Sequence, residues 1–349
     1  MPIVRRVGSV VLALGIVAGC SSHPGPPAGS ADPAEADTVM RVVHDFMAQA
    51  HLKAVIVRVT VDGKEIVTQA VGDSITGVPA TTDMHFGNDA FDNLFYANPF
   101  RQWTTQYILA QISSRPLLYD PGTNWNYAHT NYVLLGLALE KATGQVMPTL
   151  LQNEVLGPLG LKATANSGTP AIPQPALHAF SSERRQFLKV PAGTPFYEES
   201  TYWNPSWTIT HGAIQTTNIH DLEATAVGIG SGKLLSPDSY KKMVSTELRG
   251  KTHAQSDCPT TCFEQNDGYT YGLGIVISGD WLIQNPMMAG YAAVEAYLPA
   301  QKAAVAVAVT CAPEAFDGQG NYSNQADILF RKIGAVVAPN NAPPMPPGR

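Results

Sequence analysis

Two cysteine arrangements and one tyrosine-centred run carry the residue types and spacings in this 349-residue chain that can do chemistry. Cys20 stands directly behind Val17-Ala18-Gly19, after Arg5-Arg6 and an apolar stretch from Val7 to Ala18. A basic start, a short apolar run and small residues make a secretory signal. A cysteine at the cut is placed to take a diacylglyceryl group on its thiol before cleavage. The run is too short to be a membrane span, which needs about 20 apolar residues. Residues 1–19 therefore read as a lipoprotein signal peptide, with lipidation at Cys20. The protein is expected to be exported and held at the cell membrane or envelope, with the lipid bilayer as its first partner. Disulfides persist in exported proteins. Cys258 and Cys262, separated by Pro259-Thr260-Thr261 in a polar loop, read as a small disulfide in preference to free thiols. A zinc site would need more ligands than the nearby His253. Cys311 closes an apolar strand and reads as a small buried side chain. His211 and His220 lack a spaced metal partner and a Ser/Asp companion, so both read as satisfied polar residues. No metal and no cofactor is expected.

The tyrosine run is Pro121-Gly122-Thr123-Asn124-Trp125-Asn126-Tyr127-Ala128-His129-Thr130-Asn131-Tyr132, followed by Val133-Leu134-Leu135-Gly136. It resembles the penicillin-recognising serine hydrolases, in the branch of class C β-lactamases, D-alanyl-D-alanine carboxypeptidases and related esterases. Further stretches carry the same resemblance. They are 153–161, Leu234-Leu235-Ser236-Pro237, Tyr271-Gly272-Leu273-Gly274, and Ala289-Gly290-Tyr291 leading to Tyr297-Leu298-Pro299.

The resemblance implies three working elements. A Ser-x-x-Lys at the start of a central helix supplies a nucleophile and its neighbouring cation. A Tyr-x-Asn moves protons, and a Lys- or His-Thr-Gly strand binds the substrate carboxylate and lines the oxyanion site. Here Phe86 is followed by Gly87-Asn88-Asp89-Ala90, without the serine or lysine, and Trp125-Asn126-Tyr127 arrives several dozen residues early. The central helix reads as deleted, with the domain shortened near residues 86–87. The literal Ser239-Tyr240-Lys241-Lys242 follows Leu-Ser-Pro and matches a surface helix of the family instead. Tyr127 matches the catalytic tyrosine, while His129 takes the asparagine position. Gln284-Asn285-Pro286 takes the place of the carboxylate-binding strand, where proline removes a backbone donor. By correspondence Tyr127 is the catalytic candidate, and His129, Gln284 and Asn285 are the substrate-binding ones. With no lysine beside it, Tyr127 keeps its proton, the unperturbed phenol pKa being about 10.

These residues need a frame, and the hydrophobic pattern supplies one. Val39, Val42, Val43, Phe46, Met47 and Ala50 recur at helical spacing behind Asp37 or Thr38. Stretches 54–61 and 64–71 read as strands joined by an Asp62-Gly63 hairpin turn. Strands return at 271–278, 291–298 and 303–310, before a closing helix that carries Ile328, Leu329, Ile333, Val336 and Val337. Between them, helices are expected over 105–114, over 130–143 with Gly144 as cap, and over 237–247 behind Ser236. The fold class is α+β, an antiparallel β-sheet built from both chain ends with a helical region inserted. The aromatic-rich stretch from Phe86 to Trp103 can line a groove or pin a loop to the core.

Residues 20–38 read as a flexible tether, 39–338 as the domain, and 339–349 as a Pro-rich tail. With 44% apolar and 14% charged residues and a formal charge of −6, the chain buries a core and offers no basic field to nucleic acid. The expected partners are a peptidoglycan fragment or a peptide. The leading functional reading is a lipid-anchored binding or scaffolding protein that has lost catalysis. An active hydrolase with an unconventional nucleophile and a non-functional shortened product stand as alternatives.

Overall fold

The computed structural model describes residues 33–75, 78–79, 93–112, 117–166, 168–206, 208–256, 258 and 262–345. Cys20, the secretory signal, and the Phe86–Gly87 junction lie outside them.

Helix α1 (Pro33–Gln49) leads into strands β1 (Leu52–Val61), β2 (Lys64–Ile75) and β3 (Val78–Pro79). The inserted region carries α2 (Asn93–Ala97), α3 (Thr105–Ile112), α4 (His129–Thr143), α5 (Met147–Leu151), a π-helical turn over Gln152–Leu156, and α6 (Gly157–Leu159). A small ribbon of β4 (Phe180–Ser181) and β5 (Glu198–Glu199) follows, then α7 (Ile219–Gly230) and α8 (Pro237–Met243). The chain returns to the sheet through β6 (Thr270–Tyr271), β7 (Val276–Ser278), β8 (Trp281–Gln284), β9 (Met287–Met288), β10 (Tyr291–Leu298) and β11 (Ala303–Cys311), and closes on α9 (Gln325–Val337). The sheet is nine-stranded, in the order β3-β2-β1-β11-β10-β8-β7-β6 with β9 beside β10, and its paired strands run antiparallel. First and last strands of the fold, β1 and β11, thus lie side by side at its centre. The α+β architecture read from the sequence is the one observed.

The reason is written in β11, where valine and alanine alternate. Period-two alternation sends successive side chains to opposite faces. Val305, Val307 and Val309 pack with Val55, Val57 and Val59 of β1 beneath α1 and α9, which bring Val39, Val43, Phe46, Leu329, Phe330 and Ile333. Each such side chain contributes roughly 1.5–3 kcal/mol on burial. Ala306 and Ala308 face the other way, with Ala54, Ile56 and Ala293, so that α7 lies close upon them through Ile219. Gly290 permits a similarly close approach, because a Cβ there would lie 2.0 Å from the Phe180 carbonyl oxygen.

Several boundaries differ from the sequence expectation, each for a local reason. Helix α1 begins at Pro33, taking in residues assigned to the tether; proline suits a first turn and Glu35 complements the helix dipole. Helix α8 stops at Met243, whose carbonyl is taken by the Leu273 amide at 2.9 Å. The strand expected over 271–278 is cut in two by a turn closed from the Gly272 amide to the Ile275 carbonyl, 2.8 Å. The tail is also not free through Met345. Asn341 accepts from the Trp281 indole at 2.7 Å, and Pro343 lies buried against Gly334 and Trp281.

Candidate functional site

Tyr127 sits just ahead of α4, and α4 is fixed from below. A Cβ at Gly136 would fall 1.8 Å from Thr210 Oγ1, and that hydroxyl donates to the Tyr132 carbonyl at 2.8 Å. The first turn of α4 and the loop before it are therefore held at one height above the sheet. Facing them is the turn after β6, Gly272-Leu273-Gly274. Between the two lies a cleft of about 410 Å³, within the range of small-molecule sites.

Aromatic rings build its wall. Trp125 lies 5.1 Å from Tyr271 and 5.2 Å from Phe263, while Tyr127 lies 6.0 Å from Tyr271. The Tyr132 and Tyr271 hydroxyls share a hydrogen bond of 2.8 Å. Burial, with that bond, raises the Tyr271 pKa and keeps its phenol protonated. Tyr127 is 38% exposed and Leu273 68%, so both stand at the mouth. Asn124, Asn126 and Asn131 add carboxamides, and none of the described residues lining the cleft is charged.

A second loop latches the wall from outside. Asn124 donates to the His253 carbonyl at 3.2 Å and accepts from its amide at 3.1 Å, and Gln255 donates to the Leu118 carbonyl at 2.6 Å. Cys258 and Cys262 are bonded, with Cα atoms 5.3 Å apart, and the Asn126 carboxamide donates to Cys262 Sγ at 3.3 Å. The close cysteine pair thus stands next to the residue that precedes Tyr127. His253 serves this latch.

The other residues singled out in the sequence are spread apart. His129 opens α4 with its ring edge-on to Tyr127 at 5.3 Å, but it does not line the cleft. Burial lowers its pKa, against a smaller opposing effect of a hydrogen bond to the Thr208 backbone, so the ring is neutral at pH 7. Gln284 donates to the Gly274 carbonyl at 2.5 Å, propping the facing turn instead of reaching into the cleft. Asn285 lies on the other face of the sheet, 3.5 Å from Asp327, with its carbonyl taken by Asn324. Strand β8 ends at Gln284, and Asn285 just beyond it turns to Asp327 of α9, so only one of the pair comes near the site. Ser239 is exposed on α8, and its amide donates to the capping Ser236 hydroxyl at 3.2 Å. His211 and His220 are exposed, and Cys311 is buried, with burial raising its pKa to about 12.

Sequence reasoning passed over Tyr119, Asn131 and Leu273 as site residues. A signal existed, since asparagines and aromatics alternate densely from Asn124 to Tyr132. The Phe86–Trp103 aromatics resolve in part: Phe95 and Trp103 are buried with Trp203, Met288 and Ala289, pinning the loop to the end of the sheet. Phe86 and Phe91 lie outside the described residues. Beside this cluster a half-open hollow of about 60 Å³, lined by Ser200, Trp203 and Gln215 among others, has room for a few waters only.

Comparison with known proteins gives this geometry a context. The family model described as Beta-lactamase matches residues 85–330. A putative D-alanyl-D-alanine carboxypeptidase of Escherichia coli O157:H7 is 28% identical over 134 residues, 36% of this chain and 28% of that protein. One of Escherichia coli strain K12 is 33% identical over 88 residues, 25% of this chain and 19% of its own length. The chain thus spans well under half of these relatives. Among solved structures, D-amino acid amidase from Ochrobactrum anthropi SV3, complexed with D-phenylalanine, superposes with a TM-score of 0.67 at 15% identity. The match covers 87% of this chain and 99% of that one. The octameric penicillin-binding protein homologue from Pyrococcus abyssi gives 0.63 at 16% identity, over 88% and 79%. At such identities the structural likeness is one of fold.

Proposed function

Because the chain belongs to the beta-lactamase family, a serine hydrolase family, yet its tyrosine cleft carries no charged residue among those described, we propose that it is a non-catalytic binding protein of the cell envelope, anchored by lipid at Cys20. The uncharged cleft is the observation that carries this reading. A hydroxyl is a weak nucleophile until a neighbouring base takes its proton. The sequence has no lysine between Phe86 and Tyr127. His129 keeps its ring on the Thr208 backbone, and the Gln284-Asn285 pair is divided between a supporting turn and α9. The carboxypeptidase relatives point to a fragment of peptidoglycan as the ligand class, held without being cut.

Intact mass after incubation with a fluorescent penicillin tests this on the wild type, Ser239→Ala and Tyr127→Phe. In another serine hydrolase, loss of the nucleophile alone cost roughly 10⁶-fold in turnover, so no adduct is expected on any of the three. A stoichiometric adduct on the wild type would overturn the reading, and its loss in Ser239→Ala would name the nucleophile.

A further inference from the structure

The family resemblance implies a cationic strand that holds a substrate carboxylate, and none of the described residues lining this cleft is charged. Its lining is of two kinds only: ring and leucine surface, from Trp125, Tyr127, Leu135 and Leu273, and neutral hydrogen-bonding groups, from tyrosine phenols and asparagine carboxamides. A peptide ending in a free carboxylate would leave water for a site with no lysine, arginine or histidine among the described residues of its walls, and an unpaired charge is costly to desolvate. A lipid chain would lay hydrocarbon against the Asn131 carboxamide, which is unfavourable for a polar group so stranded. A ligand that suits both surfaces has an apolar face to lay on rings and a rim of neutral hydroxyls or amides. That description is met by a pyranose ring bearing an acetamide.

Two details sharpen the match. Asn131, on the first turn of α4, is exposed at the cleft, and its carboxamide makes no hydrogen bond among the described residues, leaving a donor and an acceptor for a hydroxyl or an acetamide. Tyr127 and Leu273 face the mouth from opposite sides, the first from the loop before α4 and the second from the turn after β6. The Asn124 contact to His253 and the Asn126 contact to Cys262 fix the rings in advance, so little ordering is needed on binding.

We infer that the Tyr127 cleft binds an uncharged, N-acetylated aminosugar segment, a glycan and not a stem peptide. This rests on the non-catalytic binding role proposed above and names the ligand within it. The cleft volume of about 410 Å³ suits one or two sugar rings. Rings of Trp125 and Tyr127 supply the platform, and Asn131 supplies the polar contact.

The full chain is titrated with N,N′,N″-triacetylchitotriose and, separately, with diacetyl-Lys-D-Ala-D-Ala. Tryptophan fluorescence and saturation-transfer NMR report binding for the wild type, Tyr127→Ala, Asn131→Ala and Ser239→Ala. The sugar is expected to bind saturably and to perturb tryptophan emission. Tyr127→Ala should weaken it at least tenfold and Asn131→Ala several-fold, with Ser239→Ala unchanged and the peptide inert. Unchanged circular dichroism in the variants keeps misfolding apart from lost contacts. Peptide binding that is lost in Tyr127→Ala, with no sugar binding, would overturn the glycan inference and leave the binding role standing. No binding of the sugar, or sugar binding indifferent to both cleft variants, overturns it as well. Covalent capture by penicillin would instead remove the binding role itself.

Discussion

Glu295 is the one acidic side chain on β10, and it has no salt bridge to justify its place. Its cross-strand neighbours are Gln284 and Ala306, neither charged, and its Oε2 is enclosed without a hydrogen-bond partner among the described residues. Two strands away, on β1, Arg58 is instead engaged by Glu223 and Glu65. Burial alone raises the Glu295 pKa from 4.5 to about 8, because a carboxylate loses its water shell without gaining a partner. Below pH 4.5 the folded and unfolded states both hold the proton. Between there and pH 8 only the folded state does, so stability falls as pH rises and levels off above 8. The slope is at most about 1.4 kcal/mol per pH unit, and some solvent reaches the residue, which lessens it. Glu295→Gln should therefore flatten the pH profile and gain in melting temperature over wild type from pH 5 to pH 8. Parallel profiles for the two proteins would show that the carboxyl is solvated after all.

Helix α9 shows what an element can owe to one buried charge. Arg331 bonds Asp327 at 2.8 Å, one turn away, and donates to Ser278 Oγ at 2.8 Å and to the Pro344 carbonyl. It ties α9 to β7 and to the tail at once. Removing one member of a buried pair strands the other, at roughly 3–5 kcal/mol. Arg331→Leu should lower the unfolding free energy measured in urea by that amount, while a loss within about 0.5 kcal/mol would mean that water replaces the guanidinium. Deleting 339–349 is the gentler companion: it uncovers Trp281, and a red shift of tryptophan emission should follow. The tail illustrates which elements can be read in advance. Valine and alanine alternation in β11 and helical spacing in α1 are local patterns, and both elements were legible. Asn341 meeting Trp281, or Asn126 meeting Cys262, joins residues 60 and 136 positions apart, and no local pattern records such pairings. For the same reason Tyr127 was legible by correspondence while the cleft it lines, closed by Tyr271 and Leu273, was not. Strands β8 and β9 are four and two residues long, too short for alternation to declare them.

At the scale of the whole molecule, the unusual surface is the outer face of α4. Leu134, Leu135 and Leu139 are 49%, 50% and 37% exposed, and Val146 just beyond the helix is 61% exposed. Only Val133 and Gly136 are buried within the described part of this helix. Apolar residues scattered singly are ordinary on a surface, but a contiguous run along one helix marks a place where the molecule is incomplete. A shortened insert offers a reason, since a central helix read as lost from the sequence leaves its neighbours with apolar surface and fewer partners. The chain lacking residues 1–20 is therefore expected to self-associate at micromolar concentration through α4. Sedimentation velocity reads this directly, and the variant Leu134→Lys with Leu139→Lys distinguishes α4 from any other patch, since neither residue lines the cleft. If α4 is the contact, the double variant sediments as a monomer and keeps the wild-type melting temperature of the dissociated chain, because the substituted side chains are already half in water. A wild type that stays monomeric would remove the α4 contact, and a double variant that unfolds several degrees earlier would show that those leucines support the protomer itself. Lipidation belongs to the same scale, because an acyl group at Cys20 would confine the association to a surface. A fatty-acid analogue fed to expressing cells should label the wild type and not Cys20→Ala, and equal labelling of the two would remove the anchor and with it the confinement.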